Sequence, residues 1–280
     1  MKPAFSTVAC PEWTLDQVAH HAEKWGFLGV ELRTFGSGSS TLACDPALTS
    51  ALKTRTMFRR AGVTICSLAT GVRFDDPITP PLLGQLLDHE QTVREGKSAV
   101  DLAVQLECPL VRVFGFELNG HERRTSAIAR IAERLGKVAD HCRNSGVRLV
   151  LENGGSFGRS ADIAEIIDKV NSPMLAAAYS PAVAATSNES PNAGLNVLGD
   201  RMLMAKFKDF RDGVPCALGD GDLHAREAAM ALVKGGFGGW GVYEYDRLWF
   251  REAGDIDQVM SKSAKSLFEW SGKGVRAGAM

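Results

Sequence analysis

The sequence predicts a (β/α)₈ TIM barrel, an α/β fold in which outer helices surround eight parallel strands. Short apolar runs rich in β-branched residues alternate with longer amphipathic segments from end to end, and this alternation indicates parallel strand pairing. Eight such units follow one another without a linker rich in Pro, Gly or Ser, so we expect one closed barrel domain over residues 1–280. The length supports this fold class, because single barrels usually contain ~250 residues.

Eight runs are predicted to be strands because they are short, apolar and bounded by turn residues. In chain order they are FSTVA from Phe5, Gly29–Arg33, Val63–Ala69, Leu110–Gly115, Val147–Asn153, Met174–Ser180, Met202–Asp209 and Gly241–Asp246.

Six segments between these strands carry apolar residues at the three-to-four spacing of an amphipathic helix. They cover residues 14–26, 46–62, 82–106, 125–146, 160–170 and 223–236. Thr14 and Ser160 are expected to be N-caps, and Gly26 is expected to end the first helix. The sixth unit is the weakest, because residues 181–200 are rich in loop formers and leave room for only a short helix.

The composition is that of an ordinary globular protein, with 45% hydrophobic and 23% charged residues. The formal charge of −1, from 32 basic and 33 acidic residues, argues against a nucleic-acid-binding surface. No apolar run approaches the ~20 residues of a membrane helix, and the first residues lack the apolar stretch of a secretion signal. We therefore expect a cytoplasmic protein with no nucleic-acid or membrane partner. The six cysteines form no CxxC pair, which predicts reduced, mostly buried thiols.

Candidate site residues follow from the barrel rule that catalytic groups lie at the carboxyl ends of the strands. Glu152 and Glu244 each follow apolar strand residues, where a carboxylate is costly to bury unless it is paired or binds a cation. Alternation along MLMAKFKDF places Lys206 on the same face as Met204, so both face the barrel interior if Met204 does. We predict that Lys206 lies between the two glutamates, keeps them ionised and stabilises an enolate-like oxygen. The alternative is that these residues only form a salt bridge at the barrel rim.

Three strand-end arginines, Arg33, Arg73 and Arg112, add positive charge around the same opening. If at least two of them point inward, the site suits an anionic substrate group such as carboxylate or phosphate. Strand-end arginines can instead merely pair with neighbouring acids. Ser180 and Lys208 complete the predicted substrate-binding set. Nucleotide binding is not expected, because GDGDLH lacks the spacing of a phosphate-binding loop.

These residues lie in segments that resemble the xylose-isomerase-like barrels, the sugar phosphate isomerase/epimerase group. The resemblance covers nearly the whole chain. It is carried by four segments, TLDQVAHHAEKWGFLGVELR, GVRLVLENGG, MLMAKFKDF and LGDGDLHAREAAMALVKGGFGGWGVYEYD. The last segment is the most specific, since its GxGD turn, helix, glycine-tryptophan step and E-Y-D strand end occur together in that group.

The resemblance implies a divalent metal held by Glu, Asp, His and Glu at the ends of strands five to eight. Here Glu152 and Glu244 match the first and fourth ligands, but Ser180 stands in place of the aspartate and Lys206 in place of the histidine. A protonated lysine repels a divalent cation, and serine is a poor ligand. We therefore expect no metal cofactor, with the Lys206 ammonium in the charge role of the ion. A weakly bound Mg²⁺ or Mn²⁺ on the two glutamates is the alternative.

The resemblance implies an isomerase, epimerase or dehydratase that moves a proton next to a carbonyl of a small keto sugar, polyol or sugar acid. Glu152 and Glu244 would be its acid and base. Two alternatives are a lyase that forms a Schiff base on Lys206 and a degenerate barrel that binds a sugar-like ligand or a partner without catalysis. The related DNA-repair endonucleases match poorly, since no strand ends in histidine. Related barrels often pair, so a homo-oligomer is also expected.

Overall fold

In a computed structural model that describes residues 1–36, 41–76, 90–118, 120 and 122–272, eight parallel strands close into a barrel. This confirms the predicted fold class. The barrel strands are β1 Lys2–Ser6, β2 Gly29–Arg33, β3 Thr64–Arg73, β4 Leu110–Phe114, β5 Arg148–Glu152, β6 Leu175–Tyr179, β7 Met202–Phe207 and β10 Trp240–Tyr243. They pair in chain order, and β10 pairs with both β7 and β1 to close the ring. The remaining strands, β8 Phe210–Arg211 and β9 Val214–Pro215, form a small antiparallel hairpin in the loop after β7.

The helices lie outside this ring. They are α1 Leu15–Trp25, α2 Ala51–Arg60, α3 Gln91–Leu106, α4 Arg124–His141, α5 Ser160–Val170, α6 Pro181–Thr186, α7 Pro191–Leu198, α8 Ala225–Lys234 and α9 Ile256–Trp270. Of the helix predicted over residues 82–106, residues 82–89 lie outside the described residues, and α3 covers Gln91–Leu106. The loop-rich sixth unit holds two short helices where one was expected, and α9 was not predicted. No helix of the described residues is long and apolar enough to cross a membrane.

Two expected helix starts have different outcomes. Thr14 caps α1 as predicted, in a capping box with Gln17, and Gly26 ends that helix in the left-handed conformation at φ 84°. The prediction for Ser160 was wrong, because Arg159 is the N-cap and Ser160 is the first helical residue. The carboxylate of Asp162 accepts the backbone N–H of Arg159, while Ser160 donates to Glu189, so other side chains supply the cap.

The strand ends also differ from the sequence expectation at three places that matter for the site. β7 ends at Phe207 instead of Asp209, so Lys208 lies just beyond it. β10 ends at Tyr243, so Glu244 lies just beyond the strand, although its backbone N–H still donates to Phe207 O at 2.8 Å. β3 extends past the predicted end to Arg73, with a shift in register against β4 between Ala69 and Arg73. Inward and outward positions therefore cannot be counted through that shift.

The barrel interior is filled by a cluster of its own, separate from the larger core between strands and helices. Its members are small or aliphatic and all buried: Ala4, Cys66, Leu110, Val150, Ala176, Ala178, Met204 and Val242. This apolar layer lies inside the barrel beneath the side chains of the strand ends. Because Met204 belongs to it, strand alternation directs Lys206 into the barrel, as predicted. All six cysteines are free thiols, five of them buried.

Candidate active site

Eight charged side chains gather at the carboxyl-terminal mouth of the barrel. Four are acidic and four are basic, so their formal charges cancel. They come from β2, β4, β5, β7 and the segments directly after β7 and β10: Glu31, Arg33, Arg112, Glu152, Lys206, Lys208, Glu244 and Asp246. We call this group the mouth cluster.

Lys206 is completely buried within the mouth cluster. Its Nζ donates to Glu31 Oε1 and lies 2.7 Å from Glu244 Oε1. Burial lowers the pKa of the Lys206 ammonium, but Glu244, Glu31 and Glu152 outweigh that effect and raise it, so the group stays protonated. Glu31 was not among the predicted site residues. The signal was present, because an acid in the middle of the short apolar strand GVELR needs a cation if it is buried.

Glu244 is held between two ammonium groups. Its second carboxylate oxygen lies 3.2 Å from Lys208 Nζ, which also donates to Asp246 at 3.0 Å. Burial raises the pKa of Glu244, yet the opposing effects of Lys206, Lys208 and Arg112 are larger and hold it well below its usual range. Glu244 therefore remains ionised. Lys208 keeps 25% of its side-chain surface exposed, so it is the ammonium that a ligand at the mouth can reach.

Glu152 lies in a different environment on the opposite wall. Its nearest cation is Arg112, whose Nε is 3.2 Å from Oε2 without hydrogen-bond geometry. Burial raises the pKa of Glu152 above its ordinary value, and the lowering effects of Arg112 and Lys206 do not cancel this. The expected position of Lys206 between the two glutamates is thus corrected. Within 4.0 Å, and among described residues, its ion pairs are with Glu31 and Glu244, because Arg112 on the strand next to Glu152 lies closer to that acid.

The three predicted arginines do not behave alike. Arg112 shares its register with Val150 of the interior cluster, and Arg33 shares its register with Ala69 beside it, so both face inward. Arg73 was expected at the site but turns away from it. Its Nε and Nη2 bind Asp75 at 3.2 and 2.9 Å, and nearly half of its side chain is exposed. Arg73 was predicted to face the site because it follows the third predicted strand. In the structure it ends β3, beyond a shift in register against β4.

Ser180 is mainly a structural residue. Its hydroxyl caps α6 by accepting from Val183 N, and its backbone N–H donates to Asn153 Oδ1 at 2.6 Å. Asn153 in turn donates to Gly158 O and Ser180 O, which ties the end of β5 to the end of β6. For a substrate, the Ser180 hydroxyl retains its O–H donor and one acceptor lone pair.

The mouth cluster does not fit the divalent metal that the resemblance implies. An ammonium group 2.7 Å from Glu244 occupies the space and carries the charge that a cation would have there. The Ser180 hydroxyl, at the second ligand position, is engaged in capping a helix. Across the described ranges, no group of three or more His, Cys, Asp and Glu side chains is arranged to hold a metal ion.

Several solved structures share this fold. A structure of the IolI protein with a zinc atom aligns with a TM-score of 0.78 at 15% identity, over 97% of this chain and 98% of that one. L-ribulose 3-epimerase aligns with a TM-score of 0.79 at 13% identity, over 97% and 95% of the two chains. A probable 3-DHS dehydratase from Bacillus anthracis aligns with a TM-score of 0.75 at 14% identity, over 95% and 98%.

Comparison by sequence finds a family but no individual relative. No curated protein sequence matches this chain. A family model described as xylose isomerase-like TIM barrel, however, matches residues 19–268, which include every member of the mouth cluster. The chain therefore belongs to the xylose isomerase-like TIM barrel family.

Proposed function

We propose that this protein is an enzyme that moves a proton next to the carbonyl of a small keto sugar, polyol or sugar acid, as an isomerase, epimerase or dehydratase. The observation that carries the proposal is the pair of buried glutamates, Glu152 and Glu244, whose surroundings shift their pKa values in opposite directions. Two acids at one site with separated pKa values are the usual arrangement for proton transfer. The shared fold with epimerases and a dehydratase supports the same class.

The two glutamates would have distinct roles. Glu152, with its raised pKa, is a stronger base than an ordinary glutamate, so it can accept a proton from carbon and return it. Glu244 stays ionised beside Lys206 and Lys208, so it has no proton to donate, and its lowered pKa makes it a weak base. This asymmetry favours a reaction in which one group carries the proton and the other orients the substrate hydroxyl groups.

The negative charge that develops on the carbonyl oxygen would be stabilised by the two lysines. Lys208 is exposed enough to donate a hydrogen bond to that oxygen directly. Lys206 is completely buried, so it acts through its charge and by keeping Glu244 in place rather than by contact. We propose that this fixed charge replaces the metal and that the enzyme works without one.

The two alternatives have less support. A Schiff-base lyase needs a neutral, accessible amine, whereas Lys206 is buried, ion-paired with two acids and held protonated. A binding protein without catalysis needs no separation of the glutamate pKa values, although it is compatible with the rest of the mouth cluster.

Solvent exchange tests the proposal directly. Protein treated with a chelator is incubated in D₂O with D-fructose, D-psicose, L-ribulose and their sugar-acid analogues, and ¹H NMR follows deuterium entering next to the carbonyl. We expect exchange with the wild type and its loss in Glu152→Gln. The matched control, Glu23→Gln, removes an exposed acid from α1 outside the barrel.

Two outcomes would overturn the proposal in different ways. Exchange that appears only after Mg²⁺, Mn²⁺ or Zn²⁺ is added would contradict the metal-free site while preserving the reaction class. Exchange in none of the compounds, from protein shown to be folded, would contradict the reaction class itself.

A further inference from the structure

Two arginines at the barrel mouth lie on the two strands that flank β3. Arg33 on β2 and Arg112 on β4 are both in register with Ala69 on the strand between them. Residues in register across parallel strands point to the same face, which here is the interior. The two backbones are about 10 Å apart, two strand spacings, and the residue between them, Ala69, carries only a methyl group.

Neighbouring groups hold this pair in position. The Arg112 guanidinium stacks over the Phe114 ring at 4.1 Å, and Phe114 stacks on Phe116 with ring centroids 4.3 Å apart. Thr70 joins the two arginines, because its hydroxyl donates to Arg112 O at 2.6 Å and its carbonyl faces Arg33 Nη1 at 3.5 Å. A guanidinium fixed in this way loses little freedom when it binds a ligand.

Three donors of these arginines lack acceptors, although Arg33 Nη1 donates to Thr70 O. Arg112 is 2% exposed, yet its Nε and Nη1 have no hydrogen-bond partner among the described residues, and neither does the buried Nε of Arg33. The nearest acid, Glu152, approaches Arg112 Nε at 3.2 Å without hydrogen-bond geometry. Buried donors in proteins are nearly always paired, so unpaired ones that face a functional site indicate a ligand with acceptor oxygens.

We propose that Arg33 and Arg112 bind the carboxylate group of the substrate, which makes that substrate a small hydroxy acid or keto acid of the sugar-acid type. The inference rests on the proposed function for the reaction and deepens it by naming the substrate class. A carboxylate suits this pair because its two oxygens can accept hydrogen bonds from both guanidinium groups at once.

A phosphate group fits less well. TIM barrels usually hold phosphate in the loops after the seventh and eighth strands, through backbone N–H groups. Here Asp209 already accepts the N–H groups of Gly219 and Leu223 in the loop after β7. That loop also contains Asp220 and Asp222, which repel a dianion.

Matched pairs of compounds test the carboxylate site without requiring turnover. Binding is measured by calorimetry for four acids and the corresponding alcohols: glycolate and ethylene glycol, glycerate and glycerol, threonate and threitol, gluconate and sorbitol. We expect at least one acid to bind about 10-fold more tightly than its alcohol, the gain typical of one charge-assisted contact. Arg33→Met should reduce this preference, and Arg112→Met should abolish it. Arg59→Met, which changes an exposed arginine on α2, should leave it intact.

Folding of the variants is checked by thermal melting, because Arg112→Met leaves Glu152 without its neighbouring cation. The double variant Arg112→Met/Glu152→Gln removes both charges. It replaces Arg112→Met in the binding measurement if the single variant does not fold. Equal binding of acids and alcohols by the wild type would overturn the proposal, as would an acid preference that survives in either Arg112 variant. Inorganic phosphate that displaces the acids more strongly than glycolate does would overturn the choice of carboxylate.

Failure of this inference is distinguishable from failure of the proposed function. Proton exchange on neutral ketoses without any preference for acids would refute the carboxylate site alone. Arginine-dependent binding of acids without proton exchange in any compound would refute the reaction and support the site.

Discussion

The two sides of the barrel mouth contrast in how completely their charges are paired. On the side formed by β2, β7 and the end of β10, Lys206 and Lys208 each contact two carboxylates. On the side formed by β4 and β5, Arg112 and Glu152 form a single ion pair that lacks hydrogen-bond geometry. On the first side both ammonium groups are fully paired and need no ligand, although Arg33 Nε and Glu31 Oε2 on β2 have no hydrogen-bond partner among the described residues. The second has donors and an acid left over, and a ligand would complete it.

The largest effect on stability is expected when the ion pairs of Lys206 on the first side are removed. Lys206→Met leaves Glu31 and Glu244 buried without their shared cation, and removing one partner of a buried ion pair typically costs about 3–5 kcal/mol. We expect a loss of this size in the free energy of unfolding measured with urea. Lys262→Met, which breaks an exposed pair with Asp220, should cost about 1 kcal/mol or less. A Lys206→Met variant as stable as this control would show that the two sides do not differ.

A smaller effect is expected from Glu244→Gln, with a defined pH dependence. At neutral pH the variant loses hydrogen bonds between charged groups and should be less stable by about 1.5–3 kcal/mol. The pKa of Glu244 is lowered in the folded state, so its contribution is present above its ordinary value of 4.5 and is lost as the pH falls through the folded value. Urea unfolding of wild type and variant should therefore converge as the pH falls below 4.5. A difference that stays constant down to acid pH would contradict this.

Glu152→Gln should behave in the opposite way. The pKa of Glu152 is raised in the folded state, so its contribution is complete below the ordinary value of 4.5 and is lost as the pH rises through the folded value. The neutral amide resembles the protonated acid, and we expect a change in stability within about 1 kcal/mol at neutral pH. Relative to the variant, the wild type should lose stability as the pH rises above 4.5 and through the folded pKa of Glu152. Parallel pH profiles for the two glutamate variants would remove the distinction between the two sides.

The smallest effect is expected at Arg73, which separates the arginines of the site from the one outside it. Because its side chain is half exposed and bound to Asp75, Arg73→Gln should change stability by about 1 kcal/mol or less. It should leave the preference for acids over alcohols unchanged, as calorimetry with the same compounds can establish. Loss of that preference would mean that Arg73 reaches the ligand.

Much of the fold could be predicted because its signals are local. Strand Gly29–Arg33 was predicted with its observed bounds, and the alternation around Met204 predicted that Lys206 faces inward. Helix α9 was missed although the sequence predicts it, since Asp255 caps a segment with the three-to-four apolar spacing. It follows the eighth barrel strand, and no helix was predicted there.

The pairing at the mouth could not be predicted from local patterns. Glu31 and Lys206 are 175 positions apart in the chain and come from strands that are not neighbours, so only the closed ring brings them together. Arg73 was assigned to the site because it follows the predicted end of the third strand at Ala69, whereas β3 continues to Arg73 and shifts its register with β4 on the way. Such shifts depend on packing between strands and leave no local signal.

The balance of four positive and four negative side chains has a kinetic consequence. A mouth with no net charge, on a chain whose formal charge is only −1, sends little electrostatic field into the solvent to attract an ion from a distance. An acid would therefore arrive at the ordinary diffusive rate, nearly independent of salt. Its retention would depend on short-range contacts made after entry, so changes at the arginines should lengthen or shorten residence time rather than alter the frequency of encounter.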